Sequence, residues 1–127
     1  MAKCVFCDIT KTIDKDRILF ETYNWVAIYD GYPVTPGHVL LIPKEHYETF
    51  FDMPPSMRET MGFRINQVKK LLDEKFHPDG YNVGFNCGEA AGQTVMHFHL
   101  HIIPRYKGDC ENPRGGVRGV IPSKQSY

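Results

Sequence analysis

Three histidines occupy alternate positions, His97, His99 and His101, within the run Val-Met-His-Phe-His-Leu-His-Ile-Ile at 95–103. Side chains alternate along an extended strand, so this spacing puts the imidazoles on one face and Met96, Phe98, Leu100 and Ile102 on the other. Same-face neighbours on a strand lie roughly 6.6 Å apart, so the outer two imidazoles flank the middle one. A lone strand histidine is ordinarily a packing or surface residue. Three in register, opposite an apolar face, are not explained by packing. Two chemistries use such a row. Neutral imidazole is a metal ligand. Alternatively, one imidazole attacks as a nucleophile while a neighbour's hydrogen bond fixes its tautomer. The preceding loop, Asn86-Cys87-Gly88-Glu89-Ala90-Ala91-Gly92-Gln93-Thr94, is small and polar. Its main-chain N–H groups and the Thr94 hydroxyl suit phosphate oxygens, which favours attack at phosphorus.

A second constellation is Cys4-Val5-Phe6-Cys7. Such a pair admits a redox motif, half of a zinc site, or two thiols of no consequence. The redox reading wants a βαβ context, which this chain lacks, and zinc needs two further ligands. Cys87 reads as a small residue in a tight turn, Cys110 as an exposed thiol, and His77 as a helix C-terminal residue favoured by the dipole.

These groups need a scaffold. Residues 18–22 and 25–30 are aromatic and β-branched and read as a hairpin. Gly31 to Gly37 carries two prolines and two glycines and reads as a loop. Residues 38–43 form a buried strand closed by proline, and 81–86 another strand. Between them Ser56 and Glu59 match a capping box. Beyond it Met57, Met61, Ile65, Val68, Leu72 and Phe76 form one face of a long helix ending near His77-Pro78. The expected fold is α+β, an antiparallel sheet of about five strands with that helix on its apolar face. An irregular tail follows from about 107. Phe6, Ile9 and Ile28 suit a purine slot and core packing equally.

The 127 residues suit one domain, 1–127, with no need of a disulfide framework. Fifteen basic residues balance fifteen acidic ones, against a nucleic-acid or anionic-membrane binder. No apolar run approaches the roughly 20 residues of a membrane span, and the start lacks a signal-peptide stretch. The expectation is a cytoplasmic protein whose cysteines are free thiols or metal ligands.

The segment Gly-Gln-Thr-Val-Met-His-Phe-His-Leu-His-Ile-Ile at 92–103 resembles the signature of the histidine-triad (HIT) family. Gly-His-Val-Leu-Leu-Ile-Pro-Lys-Glu-His at 37–46 resembles that family's upstream segment, and the likeness runs from about Cys4 to Asp109. It implies a nucleotide hydrolase or nucleotidyl transferase in which His99 attacks the α-phosphorus. A nucleotidyl-histidine forms and water cleaves it, releasing a nucleoside monophosphate, with no divalent metal needed for the chemical step. His101 would bind phosphate and orient His99, and His38 would stand behind them. Asp30 would bind ribose, and Asn86, Gly92, Gln93 and Thr94 would hold phosphate and leaving group. The resemblance also implies a structural zinc on Cys4, Cys7, His46 and His97, and a homodimer acting on a small-molecule nucleotide.

Features of two branches are mixed. Gly92-Gln93-Thr94 with Pro104-Arg105 resembles the fragile-histidine-triad branch, which favours dinucleoside polyphosphates as substrate. Asp30, Asn86 and Lys44-Glu45-His46 resemble the histidine-triad nucleotide-binding branch, whose substrates are adenosine phosphoramidates. Two other readings compete, a nucleotide-binding or scaffold protein with little turnover, and a zinc protein whose triad is wholly a metal site. An intact His99 between both neighbours speaks against a pure binder.

Overall fold

The β-branched and aromatic runs become strands β1 (Ile18–Glu21), β2 (Trp25–Tyr29), β3 (Val39–Pro43), β4 (Gly80–Gly84) and β5 (Leu100–Arg105). In the computed structural model, which describes residues 4–127, they form one antiparallel sheet in the order β1-β2-β3-β5-β4. A short helix α1 (Ile9–Thr12) precedes the sheet, and the 22-residue helix α2 (Pro55–Phe76) links β3 to β4. The fold class is the expected one.

Alternation sorts the strands onto two faces. Trp25, Ala27, Val39, Leu41, Leu100 and Ile102 point toward α2, where Met57, Met61, Val68 and Leu72 meet them in one core. Val26, Ile28, Leu40 and Ile42 point the other way and are covered by Phe6, Ile9, Ile13 and Ile18. All five residues of β3 are therefore buried. Antiparallel sheets commonly leave one face in water; here the N-terminal segment closes that face over β2 and β3.

Three local features differ from expectation. The helix begins at Pro55, not behind a Ser56 cap, because proline's fixed φ and missing N–H suit the first helical position. The capping box lies earlier, where Thr49 and Asp52 close the single turn Phe50–Asp52. The ladder of β5 starts only at Leu100, although the alternation of 95–103 predicts a longer strand. Before it, Phe98 N–H donates to Tyr47 O at 2.6 Å while Phe98 still joins the core. Met96 is 40% exposed instead of sharing the apolar face, because the chain there has not yet joined the sheet. At the other end of α2, His77 adopts a left-handed φ of 50° and its N–H caps Asp73 O.

Gly37 has a φ of +88°, and a Cβ there would meet the Phe76 ring at 3.0 Å. Gly62 lies within α2, and a Cβ there would meet nothing within 4 Å. Gly37→Ala should cost about 1–3 kcal/mol, and Gly62→Ala should add about 0.5–1 kcal/mol by removing glycine's entropy cost. Urea midpoints check both signs, and a neutral Gly37→Ala contradicts the close approach.

Candidate active site

Strand register alone brings three separated residues together. Asp30 N–H donates to His38 O at 2.9 Å, so these two stand opposite each other where β2 and β3 meet the intervening loop. In the next pair Leu40 faces His101 and Val39 faces Ile102. His38, two residues before Leu40, is thus the diagonal neighbour of His101 on the same face. The outcome is His38 Nε2 at 3.0 Å from His101 Nδ1 and 3.5 Å from Asp30 Oδ2.

Main-chain groups decide the tautomers. Val34 N–H donates to His38 Nδ1 at 3.0 Å, so the neutral ring carries its proton on Nε2 and donates it to His101 Nδ1. His101 then presents an Nε2 proton. His99 is held the opposite way, because its Nδ1 donates to His97 O at 2.9 Å and leaves Nε2 with a free lone pair. Burial lowers the pKa of His38, opposed by the Asp30 carboxylate. Burial also lowers His101, to about 4, with the His38 and His99 imidazoles adding to the shift. Both rings favour the neutral form that this hydrogen-bond chain requires.

Asp30, Asn86, Gly92, Thr94, His99 and His101 line one cleft of about 520 Å³. Phe6, Ile9, Ile28 and Leu40 form its apolar end, so the first three serve slot and packing together. His38 lies behind His101 and lines an adjoining cavity of about 320 Å³. Arg17, Tyr32 and Val95 also face the cleft and were not anticipated. Leu40 was legible in principle, since it shares His38's parity on β3.

The loop before the triad behaves differently from the simple expectation. Gly92 N–H donates to Glu89 O and Gln93 N–H to Gly88 O, so neither is free for phosphate. Gln93 is 3% exposed, accepting from Gly88 N–H and donating to Glu48 O and Val95 O. It shapes the loop and does not line the cleft. The side chains of Asn86 and Thr94 show no hydrogen bond to another described residue and remain open to a ligand, beside the His101 Nε2 proton.

His97 leaves the row for a second cluster. It is fully buried, its Nε2 donates to Pro43 O at 2.8 Å, and its Nδ1 lone pair meets the N-terminal thiols. Cys4 Sγ lies 3.4 Å and Cys7 Sγ 3.6 Å from that nitrogen, and His46 Nδ1 lies 3.1 Å from it. His46 Nδ1 is also 3.3 Å from Cys7 Sγ. Tetrahedral zinc with ordinary bond lengths has ligand edges of roughly 3.3 Å between nitrogens and roughly 3.6 Å between nitrogen and sulfur. The four side chains therefore fit such an ion.

The tail's arginines are engaged elsewhere. Arg105 makes a forked pair with Asp109 and donates to Asn82, and the guanidinium groups of Arg114 and Arg118 stack on Tyr127.

Against known proteins, the HIT domain matches residues 11–108. The chain belongs to the HIT family. An uncharacterised HIT-like protein of Methanocaldococcus jannaschii is 43% identical over 92% of this chain and 91% of its own length. The adenylylsulfatase HINT3 of Arabidopsis thaliana is 37% identical over 84% of this chain, which spans 54% of that protein. The asymmetrical bis(5'-nucleosyl)-tetraphosphatase of Schizosaccharomyces pombe is 34% identical over 73% of this chain and 51% of its own. A crystal structure of a zinc-bound histidine-triad protein from Mycobacterium smegmatis superposes with a TM-score of 0.75 at 39% identity, covering 84% and 77% of the two chains. Two of these relatives carry the names of nucleotide hydrolases, and no helix in this chain's described residues is long and apolar enough to cross a membrane.

The pH dependence of stability follows from His101. Its folded pKa of about 4 lies below the ordinary 6.5, so the unfolded chain gains a proton first as pH falls. Stability should decline as pH drops from about 6.5 toward about 4. Urea midpoints measured across that window should fall less steeply in His101→Asn than in the wild type. An identical slope in the variant contradicts the assignment.

Proposed function

We propose that His99 Nε2 attacks the α-phosphorus of a nucleotide, most readily a dinucleoside polyphosphate, and releases a nucleoside monophosphate. The observation that carries this reading is the His99 Nδ1–H bond to His97 O, which leaves a lone pair in the cleft. In the first step the N–P bond forms and the bond from phosphorus to the leaving group breaks. Water then cleaves the nucleotidyl-histidine, and the imidazole returns to its starting tautomer. The base occupies the apolar end formed by Phe6, Ile9, Ile28 and Leu40. Asp30 takes the ribose hydroxyls. Asn86, Thr94 and the His101 Nε2 proton hold the phosphoryl oxygens, and such fixed donors stabilise charge that grows during attack. Gly92 leaves room for the nucleotide, since a Cβ there would enter open space. Gln93 contributes by holding the loop.

His38 acts through His101, whose Nδ1 it donates to, and so keeps the His101 proton facing the phosphate. The relatives named for a tetraphosphatase and an adenylylsulfatase differ in the group displaced, which supports attack at the nucleotidyl phosphorus as the common element. Adenosine phosphoramidate is the second candidate substrate, favoured by Asp30, Asn86 and the Lys44-Glu45-His46 segment.

We further infer a structural zinc on Cys4, Cys7, His46 and His97, supported by their tetrahedral spacing and by the zinc-bound relative. Such an ion cross-links the N-terminal turn to the sheet. Among the described residues the outer edge of β4 has no strand partner, which together with the family supports a homodimer.

A turnover panel of diadenosine polyphosphates, adenosine phosphoramidate, AMP-lysine and adenylyl sulfate tests the reaction. Wild type should release AMP, with the polyphosphates fastest. His99→Ala should lose on the order of 10⁴-fold or more in rate while keeping its melting temperature and AMP binding. Binding of AMP without turnover of any of these by wild type would sink the enzyme reading in favour of a binding protein. The same preparation should carry about one zinc per chain and scatter light as a dimer. With zinc bound, His97→Ala should lower the melting temperature more than His101→Ala does, and a metal content near zero with intact thiols rejects the ion.

A further inference from the structure

We propose that Phe6 is a positioning residue that couples occupancy of the Cys4-Cys7-His46-His97 cluster to nucleotide binding beside His99. The inference rests on the zinc and nucleotide readings above and goes beyond both, because it links two sites that each have a separate rationale.

Phe6 sits between the two thiols in sequence and between the two sites in space. Its ring meets the His99 ring edge-on, with centroids 5.1 Å apart and planes at 70°. It also meets His97 edge-on, at 6.0 Å and 88°. The same ring packs on the face formed by Val26, Ile28, Leu40 and Ile42 and walls the cleft. One aromatic side chain therefore touches the nucleophile, a metal-side histidine and the base slot.

Beside this apolar packing, the polar tether of Phe6 is narrow. Within residues 4–8 the other polar contacts are local, Ile9 N–H to Phe6 O, Lys11 N–H to Asp8 O and the exposed Lys11–Asp8 pair. The polar contacts that tie this turn to the rest of the described fold are those of Cys4 and Cys7 with His46 and His97. A thiol–imidazole contact at 3.3–3.6 Å is a weak tether. Four metal–ligand bonds are a strong one, and they would hold both residues that flank Phe6 at two and one positions' remove. Losing them frees the turn to swing, opens the apolar slot and removes the wall against which the His99 ring rests. Gaining them closes the slot at no further cost to an incoming nucleotide. The two ligands then favour the same arrangement of one element, which is positive coupling.

Coupling of this kind is reciprocal, so it can be read from either side. Calorimetry with AMP, on the zinc-loaded full chain and on the chelator-treated chain, should show about tenfold weaker binding without metal. In Phe6→Ala binding should be weak in both states, with the metal effect reduced to less than about twofold, and Phe6→Leu should restore part of it. The reciprocal measurement needs neither variant nor metal-free protein. Saturating AMP should slow the transfer of zinc from wild type to a chromogenic chelator and tighten its affinity by the same factor of about ten. Equal AMP affinity with and without zinc, or zinc transfer indifferent to AMP, overturns the coupling even if Phe6→Ala weakens AMP. Failure of every form to bind AMP overturns the nucleotide reading and the coupling with it. Failure of the wild type to take up zinc rejects the metal site itself.

Discussion

The site depends on two main-chain groups that cannot change their hydrogen-bonding sense. A carbonyl oxygen only accepts and an amide N–H only donates. His97 O therefore keeps a proton on His99 Nδ1, and Val34 N–H keeps one off His38 Nδ1. From these two constraints the remaining protons follow, because His38 Nε2 must donate to His101 Nδ1 and His101 must present its other nitrogen outward. Two chemically identical imidazoles on one strand thereby acquire opposite characters. His99 offers a lone pair and His101 offers a proton. Charging His38 would break its bond from Val34, so the hydrogen-bond geometry and burial push in the same direction.

The fold supplies this arrangement through an unequal covering of its sheet. Helix α2 buries one face with an apolar core, while the N-terminal segment closes the other only over β2 and β3. The cleft opens at the border of that cover, between Ile28 and Leu40 on one side and His99 and His101 on the other, and β4 lines the adjoining cavity. β3 is buried along its whole length and so forms a rigid base on which His38 and the cluster's Pro43 acceptor stand at opposite ends. The buried nitrogens of His38 and His97 are hydrogen-bonded, which offsets the penalty of removing them from water. Strand pairing sets His38 against His101, and the irregular segments carrying Val34 N–H and His97 O decide which nitrogens hold protons.

How much of this was legible in the sequence depends on whether a residue's place follows from parity. Asp30, His38 and His101 sit where strand alternation and antiparallel register leave little freedom, and His99, just before the ladder, keeps the parity of the row. Helix α2 was equally plain from Met57, Met61, Val68 and Leu72. The loop was not. Whether a main-chain N–H faces a ligand or closes a turn is a tertiary outcome, and Gly92 and Gln93 spend theirs on Glu89 and Gly88. Ser56 resembled a cap because its side chain and Glu59 match a local rule, while the helix starts at Pro55, two residues before the Met57 such a cap would imply. Arg17 entered the cleft by packing against Gly31 and donating to Tyr29 O, contacts that no spacing announces.

The late start of β5 explains why one histidine row serves two chemistries. In a continued ladder with β3, His97 would stand opposite Lys44 by the register that pairs Leu41 with Leu100. Its carbonyl would then be drawn toward cross-strand bonding. The preceding pair in that register sets Phe98 opposite Pro43, which has no N–H to donate; the Pro43 carbonyl instead takes the His97 Nε2 proton, and Phe98 N–H goes to Tyr47 O. The ladder therefore ends before His97, and the His97 carbonyl is free to take the His99 proton. The same release lets the N-terminal turn close over the His97 ring, whose free nitrogen meets the two thiols and His46. The missing strand pairing before Leu100 thus gives the nucleophile its orienting acceptor and gives the thiol cluster its buried imidazole, so a change that restored the ladder would disturb both sites together.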